Sequence, residues 1–237
     1  MSLIELKMVD NAAVVTLNSG ENRFNPEFLN AFLNVLDDVE EIESASVLIV
    51  QSAHEKIFSN GIDLDWLTPH VQNKDIDTSK DFFYELNDLF KRVLMYPMQT
   101  IAAINGHCFA GGAILACAFD YRYMRTGRGF FCFPEVDLGI PFLPGMTALL
   151  KKSIPLYKVV DMQLSGIRLT AEECEKHHIV KKACPLEELL PTALEFAKTL
   201  NKRRPVIREL KKVLYKDILH AIMVEDIPFI ESGRLNV

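Results

Sequence analysis

Two stretches of this 237-residue chain place glycine where a helix is about to begin: Phe58-Ser59-Asn60-Gly61-Ile62-Asp63-Leu64 and Asn105-Gly106-His107-Cys108-Phe109-Ala110-Gly111-Gly112. The opening N–H groups of a helix have no acceptor within it, so each stretch offers backbone donors to an anion. Either alone is ordinary turn chemistry, and the combination is more specific. Other chemistries find less support. His107 sits inside the second stretch, but the remaining histidines are scattered without HxxxH or His/Cys spacing, so no metal site is indicated. Ser59 has no GxSxG elbow and no identifiable His/Asp partner, which disfavours nucleophilic hydrolysis. The five cysteines, Cys108, Cys117, Cys132, Cys174 and Cys184, show no CxxC spacing and read as reduced thiols. Asp63 and Asp65 read as helix-capping or first-turn acids, and Asp120 as a hydrogen-bonding residue at the end of an apolar helix.

FSNGIDL, followed by PMQTIAAINGHCFAGG and then GFFCFPEVDLGIPFLPG, resembles the crotonase family of enoyl-CoA hydratases and isomerases in order, spacing and flanking residues. SGIRLTAEECEKHHIVKKACP (165–185) extends the likeness, which runs from about Leu3 to Leu200. The resemblance implies an α/β fold, a spiral of ββα units in two roughly perpendicular sheets with a C-terminal helical region. It also implies trimers or hexamers built from trimers, and an acyl-CoA thioester as substrate. Carried over residue by residue, it places the thioester oxygen on the backbone N–H groups of Ile62 and Gly111. Substrate-binding positions follow at Ser59, Asn60, Gly61, Asp63 and Leu64, with Arg23 and Phe24 near the coenzyme. Backbone donors of this kind suit an enolate, whose charge sits on that oxygen, and are worth roughly 10²–10³ in rate each.

The two-carboxylate hydratases of the family carry one glutamate just after the glycine run and another about twenty residues later. The first position falls here on Ile114 and the second on Glu135. Read on its own, a glutamate between prolines and aromatics is a turn or ion-pair residue; the resemblance makes it the proton-transferring base. MRTGRGFFCFPEVDLGIPF further resembles Δ3,Δ2-enoyl-CoA isomerases. One carboxyl suffices for an allylic shift, because it can take a proton from C2 and return it to C4. Phe131, Phe133, Val136, Ile140 and Phe142 are expected to desolvate Glu135 and raise its proton affinity. The expected reaction is therefore conversion of 3-enoyl-CoA to trans-2-enoyl-CoA. The alternatives are a weak hydratase, decarboxylase or thioesterase of the same family, or a catalytically silent acyl-CoA-binding module.

The elements that must position these residues follow from periodicity. Leu3–Val9 and Ala12–Leu17 read as a hairpin across Asp10-Asn11. Pro26–Glu40 reads as an amphipathic helix capped by Asn25. Ser46–Ser52 and Thr100–Ile104 are short buried strands, separated by a loop at 54–67 and a helix around Ser79–Met95. After the second glycine run come a helix at Ala113–Ala118 and strands at Tyr121–Arg125 and Gly129–Cys132. Helices are expected at Pro144–Ser153, Leu156–Ser165, Ala171–His177, Glu187–Leu200 and Pro205–Ile222, with a strand at Ile179–Ala183. Residues 1–186 then form the core domain and 187–237 a C-terminal helical appendage of the same domain. The apolar stripe Leu189, Leu190, Leu194, Phe196, Ala197 and Leu200 needs a surface, either a neighbouring subunit's or the chain's own.

Hydrophobic residues at 49% and charged residues at 24% exclude neither a large core nor solubility, and favour neither disorder nor a membrane span. A net charge of −6 argues against general nucleic-acid affinity. Lys151-Lys152, Lys181-Lys182 and Lys202-Arg203-Arg204 read as solvated surface. The start MSLIELKMVD has no leader pattern and the closing GRLNV is no peroxisomal address, so a cytoplasmic enzyme is expected. No cofactor is expected beyond the coenzyme A that belongs to the substrate.

Overall fold

The computed structural model describes residues 2–232; Met1 and the closing GRLNV (233–237) lie outside them. Strands β1 (Ile4–Val9) and β2 (Ala12–Leu17) pair antiparallel from Val9↔Ala12 to Ile4↔Leu17. After β3 (Arg23–Phe24), helix α1 (Pro26–Glu41) starts where expected, with the Asn25 side chain accepting from Phe28 N–H at 3.0 Å. Its buried stripe is Phe28, Leu29, Phe32, Val35, Leu36 and Val39.

From there the chain alternates between two sheets. Strand β4 (Val47–Ser52) is followed by β5 (Ile57–Ser59), β6 (Gly61–Ile62) and helices α2 (Leu64–Gln72) and α3 (Ile76–Leu94). Strands β7 (Gln99–Ile104) and β8 (His107–Phe109) lead into α4 (Gly111–Ala118). Strands β9 (Tyr121–Arg125) and β10 (Phe131–Cys132) lead into α5 (Glu135–Leu138), α6 (Pro144–Ser153), α7 (Leu156–Ser165) and α8 (Ala171–Lys176). The larger sheet has the order β1-β2-β4-β7-β9-β11, the smaller β10-β8-β5, and β3 pairs with β6. Each of β4, β7 and β9 thus feeds the large sheet and its successor the small one, which is the expected ββα spiral. The rest of the chain is β11 (Lys182–Cys184), α9 (Leu186–Lys198), α10 (Arg204–Leu214), α11 (Lys216–His220), a π-helical turn (Ala221–Glu225) and α12 (Ile227–Glu231).

The departures from the sequence reading have local causes. The loop expected at 54–67 contains β5, β6 and the start of α2. Helix α3 begins three residues early because the Asp75 carboxylate accepts from Thr78 N–H and caps it. The strand expected at Ile179–Ala183 moves to Lys182–Cys184. His178 takes a positive φ of 57° to end α8, and the N–H groups of Ile179 and Val180 close that helix on Cys174 O. Gly129, at φ 91°, shortens the strand expected from it. The helix expected over Pro205–Ile222 breaks at Tyr215, whose hydroxyl donates to Asp120 Oδ1 at 3.2 Å.

The stripe on α9 finds its surface within the chain. Leu189, Ala193, Ala197 and Leu200 are buried against Ala12, Val14, Val47, Ile49, Ile101, Ala103 and Tyr123 on the outer face of the large sheet. Fully burying a large apolar side chain is worth about 1.5–3 kcal/mol, so this face holds α9 without a neighbour. Helix α10 differs: Lys211 anchors it by a buried ion pair with Asp120 at 2.7 Å, while Val206, Leu210, Val213 and Leu214 face solvent. Among the described residues no helix is long and apolar enough to cross a membrane.

Candidate active site

The first glycine stretch is shaped by the two-residue bridge between β3 and β6, Arg23↔Gly61 and Phe24↔Ile62. Asp63 N–H, not that of Ile62, donates to Phe24 O, at 2.9 Å. Gly61 has φ +77°, a conformation that side chains rarely adopt. Ser59 braces the loop from behind: its buried hydroxyl donates to Asn22 O at 2.7 Å and accepts from Gly61 N–H at 3.1 Å.

The second stretch turns through Ala110, at φ 50° and ψ −129°. Positive φ is costly for a residue with a Cβ, and such strain collects at sites that use it. The torsion ψ of Ala110 sets the peptide plane shared with Gly111, so the strained residue fixes where Gly111 N–H points. Helix α4 then begins on the glycines themselves, two residues earlier than expected, and Gly111 is its first residue. A Cβ built on Gly111 would lie 3.4 Å from Ile62 N, which brings the two expected donors side by side. At the other end of α4, cations cap the carbonyls. Lys152 Nζ donates to Cys117 O and Phe119 O at 3.1 and 2.7 Å, and Arg122 donates to Phe119 O at 2.8 Å. Positive charge at the C-terminus and an open N-terminus both suit the helix dipole. Burial pushes Lys152 down to about 7.

Glu135 opens α5, where Ile140 N–H donates to its carbonyl at 3.0 Å. Its side chain is only 7% exposed, and Oε2 has no hydrogen-bond partner among the described residues. Burial raises its carboxyl to about 7. A carboxylate largely removed from water, with one oxygen unpaired, is a stronger base than one in solvent, as an α-proton requires.

Glu135 borders a cavity of about 170 Å³ that also touches Asn60, Ile62, Leu64, Gly111 and Ile114. Four of the expected binding positions, Asn60, Ile62, Leu64 and Gly111, thus meet the expected base. Gly61 and Ser59 lie in the backing of the wall, and Phe24 is fully buried, stacked on Phe28 at 5.5 Å. Arg23 lies outside the cavity and pairs with Glu21 and Asp65, each at 2.7 Å. Asp63 occupies the start of α2 without a side-chain cap bond; its carboxylate accepts from Asn25 Nδ2 at 3.2 Å. Asp120 accepts from Thr100 N–H at 2.8 Å, the structural role read for it.

The surroundings expected for Glu135 need correction. Ile140 and Phe142 do line the cavity, but Val136 is 46% exposed, and Phe131 and Phe133 belong to the sealed core. The other apolar side chains around the cavity come from elsewhere in the chain: Phe83 of α3, Phe109 of β8, Ile114 of α4 and Met146 of α6. Sequence reading missed Phe83, Phe109 and Met146, because an apolar residue on a cavity wall looks the same as one in the core.

The sequence profile described as enoyl-CoA hydratase/isomerase matches residues 8–224. The chain belongs to the enoyl-CoA hydratase/isomerase family. Relatives within the family include enoyl-CoA delta isomerase 2, peroxisomal, of Arabidopsis thaliana, 30% identical over 217 residues that cover 87% of this chain and 89% of that one. Carnitinyl-CoA dehydratase of Salmonella arizonae is 34% identical over 205 residues, covering 86% of this chain and 75% of that one. In fold, a probable enoyl-CoA hydratase of Mycobacterium tuberculosis superposes with a TM-score of 0.88 at 20% identity, covering 98% and 97% of the two chains. The spiral of this chain is accordingly the family's crotonase fold. Members of this family bind acyl-CoA substrates.

Proposed function

We propose that this chain is an isomerase that shifts the double bond of 3-enoyl-CoA to give trans-2-enoyl-CoA. The observation that carries the reading is that Glu135 is the one ionisable side chain lining the cavity among the described residues, with apolar Ile114 on the helix where a second carboxylate would be needed for hydration. With the thioester oxygen on the N–H groups of Ile62 and Gly111, Glu135 takes the C2 proton. The C2–H electron pair passes into a dienolate whose charge rests on that oxygen. The same carboxyl then returns the proton to C4, leaving the double bond between C2 and C3. No cofactor takes part, coenzyme A being a portion of the substrate. Likeness to the Arabidopsis isomerase supports this direction.

Likeness to carnitinyl-CoA dehydratase favours a second reading, elimination of water. That reaction asks for an acid at the leaving oxygen as well as a base at C2, and one buried carboxyl serves both poorly. Parallel assays with 3-hexenoyl-CoA and crotonyl-CoA decide the matter. Isomerisation well above hydration is expected; hydration at an equal rate would overturn the proposal. The wider setting we propose is β-oxidation of unsaturated acyl chains by a cytoplasmic trimer or hexamer. The exposed apolar residues of α10 support assembly, and five free cysteines suit a reducing compartment.

A further inference from the structure

Asp226 is fully buried, yet it makes no side-chain cap to α12, the helix it precedes. An aspartate in that position ordinarily accepts from the N–H groups of its own helix. Here both carboxylate oxygens are used elsewhere: Oδ1 accepts from Gly145 N–H at 2.7 Å and Oδ2 from Asn87 Nδ2 at 2.9 Å. Gly145 is in the first turn of α6, whose own N-cap, Leu143, has no side-chain acceptor. Asp226 therefore caps α6 from 81 residues away. Asn87 lies on the buried face of α3, where its Oδ1 has no partner among the described residues and its Nδ2 is committed to Asp226.

The π-helical turn just before Asp226 explains the aim. Asp226 N–H bonds to Ala221 O, five residues back, and the extra residue in that ring rotates Asp226 relative to a continuing α-helix. The turn packs so closely on α6 that a Cβ on Gly145 would fall 2.6 Å from both Asp226 Oδ2 and Ile222 Cγ1. Both partners of Asp226 adjoin the cavity. Phe83 is one helical turn before Asn87, and Met146 follows Gly145; each lines the cavity beside Glu135. The geometry points to Asp226 as a positioning residue that ties α3 to α6 and so sets the width of the cavity wall against which the acyl chain lies. This rests on the acyl-CoA reading of the cavity.

The test measures calorimetric affinities of saturated butyryl-, hexanoyl-, octanoyl- and decanoyl-CoA for the full chain and for Asp226→Leu, Asn87→Leu and Asp226→Asn. A methylene buried against an apolar wall adds about fourfold in affinity. Asp226→Leu and Asn87→Leu are expected to reduce that gain to about twofold or less, with butyryl-CoA binding nearly unchanged. Asp226→Asn is expected to keep the wild-type gain, since its amide oxygen still accepts from Gly145 N–H and the Asn87 amide can rotate to accept from its nitrogen. A purely structural role would weaken all four ligands alike or lower only the melting temperature, and either result overturns the inference. If Asp226→Leu does not fold, Asn87→Leu carries the same comparison. Saturated ligands undergo no proton transfer. A wild-type protein that shows this chain-length pattern but does not isomerise 3-hexenoyl-CoA refutes the proposed reaction and leaves the role of Asp226 standing. A wild type that binds none of the four overturns both.

Discussion

Gly61 and Gly111 meet backbone to backbone: a Cβ on Gly61 would lie 2.5 Å from Gly111 N and 2.9 Å from Gly111 Cα. Two loops fifty residues apart in sequence are thereby held in close contact, and the proposed function places one oxygen on the N–H groups of Ile62 and Gly111. Gly61→Ala is expected to force them apart, both through this clash and through its φ of +77°. Turnover of 3-hexenoyl-CoA should fall on the order of 10²–10³, the usual cost of losing an oxyanion donor. Steady-state kinetics within tenfold of wild type would show that the contact does not matter.

Glu135→Gln is expected to abolish isomerisation while acyl-CoA affinity changes little, because the amide keeps the shape and loses the basicity. In the wild type kcat should rise with pH through an apparent pKa of about 7, as Glu135 ionises. A pH-independent kcat from pH 5 to 9, with chemistry limiting, would remove Glu135 as base.

The same ionisation has a consequence for stability. Burial raises the folded pKa of Glu135 above its ordinary 4.5, to about 7. Its contribution to stability is therefore fully present below about pH 4.5 and is lost as pH rises to about 7, amounting to about 3 kcal/mol. Glu135→Gln has no such loss. Urea denaturation should find the variant gaining on wild type between pH 4.5 and 7; a difference independent of pH would refute the assignment.

Ile114→Glu places a second carboxyl on α4 beside the cavity. A trace of crotonyl-CoA hydration is the expected gain, with some loss of stability from the added buried acid. Hydration by the unsubstituted protein as fast as its isomerisation would show that Ile114 does not decide between the reactions.

Ala110→Gly relieves the positive φ of 50° and is expected to stabilise the fold by about 1 kcal/mol. Thermal denaturation should move upward by a few degrees. A lower melting temperature would mean that Ala110 is not strained.

Static light scattering at dilute concentration tests assembly. With Val206, Leu210, Val213 and Leu214 of α10 exposed, a mass three or six times that of the 26.9 kDa chain is expected. An active monomer would refute the proposed trimer.

The sequence by itself determined the elements whose signals are local. Asn25 before Pro26 and an apolar residue every third or fourth position determine α1; Asp10-Asn11 between alternating runs determines the first hairpin. The motifs around Gly61, Gly111 and Glu135 likewise identified the family without reference to any fold. Tertiary structure decided what depends on residues distant in the chain. Nothing near Pro205 announces that its helix will stop at Tyr215, because the cause is Asp120, ninety-five residues earlier. Nothing in Val136 shows that it faces water while Phe83 and Met146 approach the base, since hydrophobicity specifies burial without specifying which apolar surface a side chain meets. The proton affinity of Glu135 is of the same kind: burial raises it, and the cavity that Glu135 borders is assembled from side chains of α3, β8, α4 and α6, which only the fold brings together.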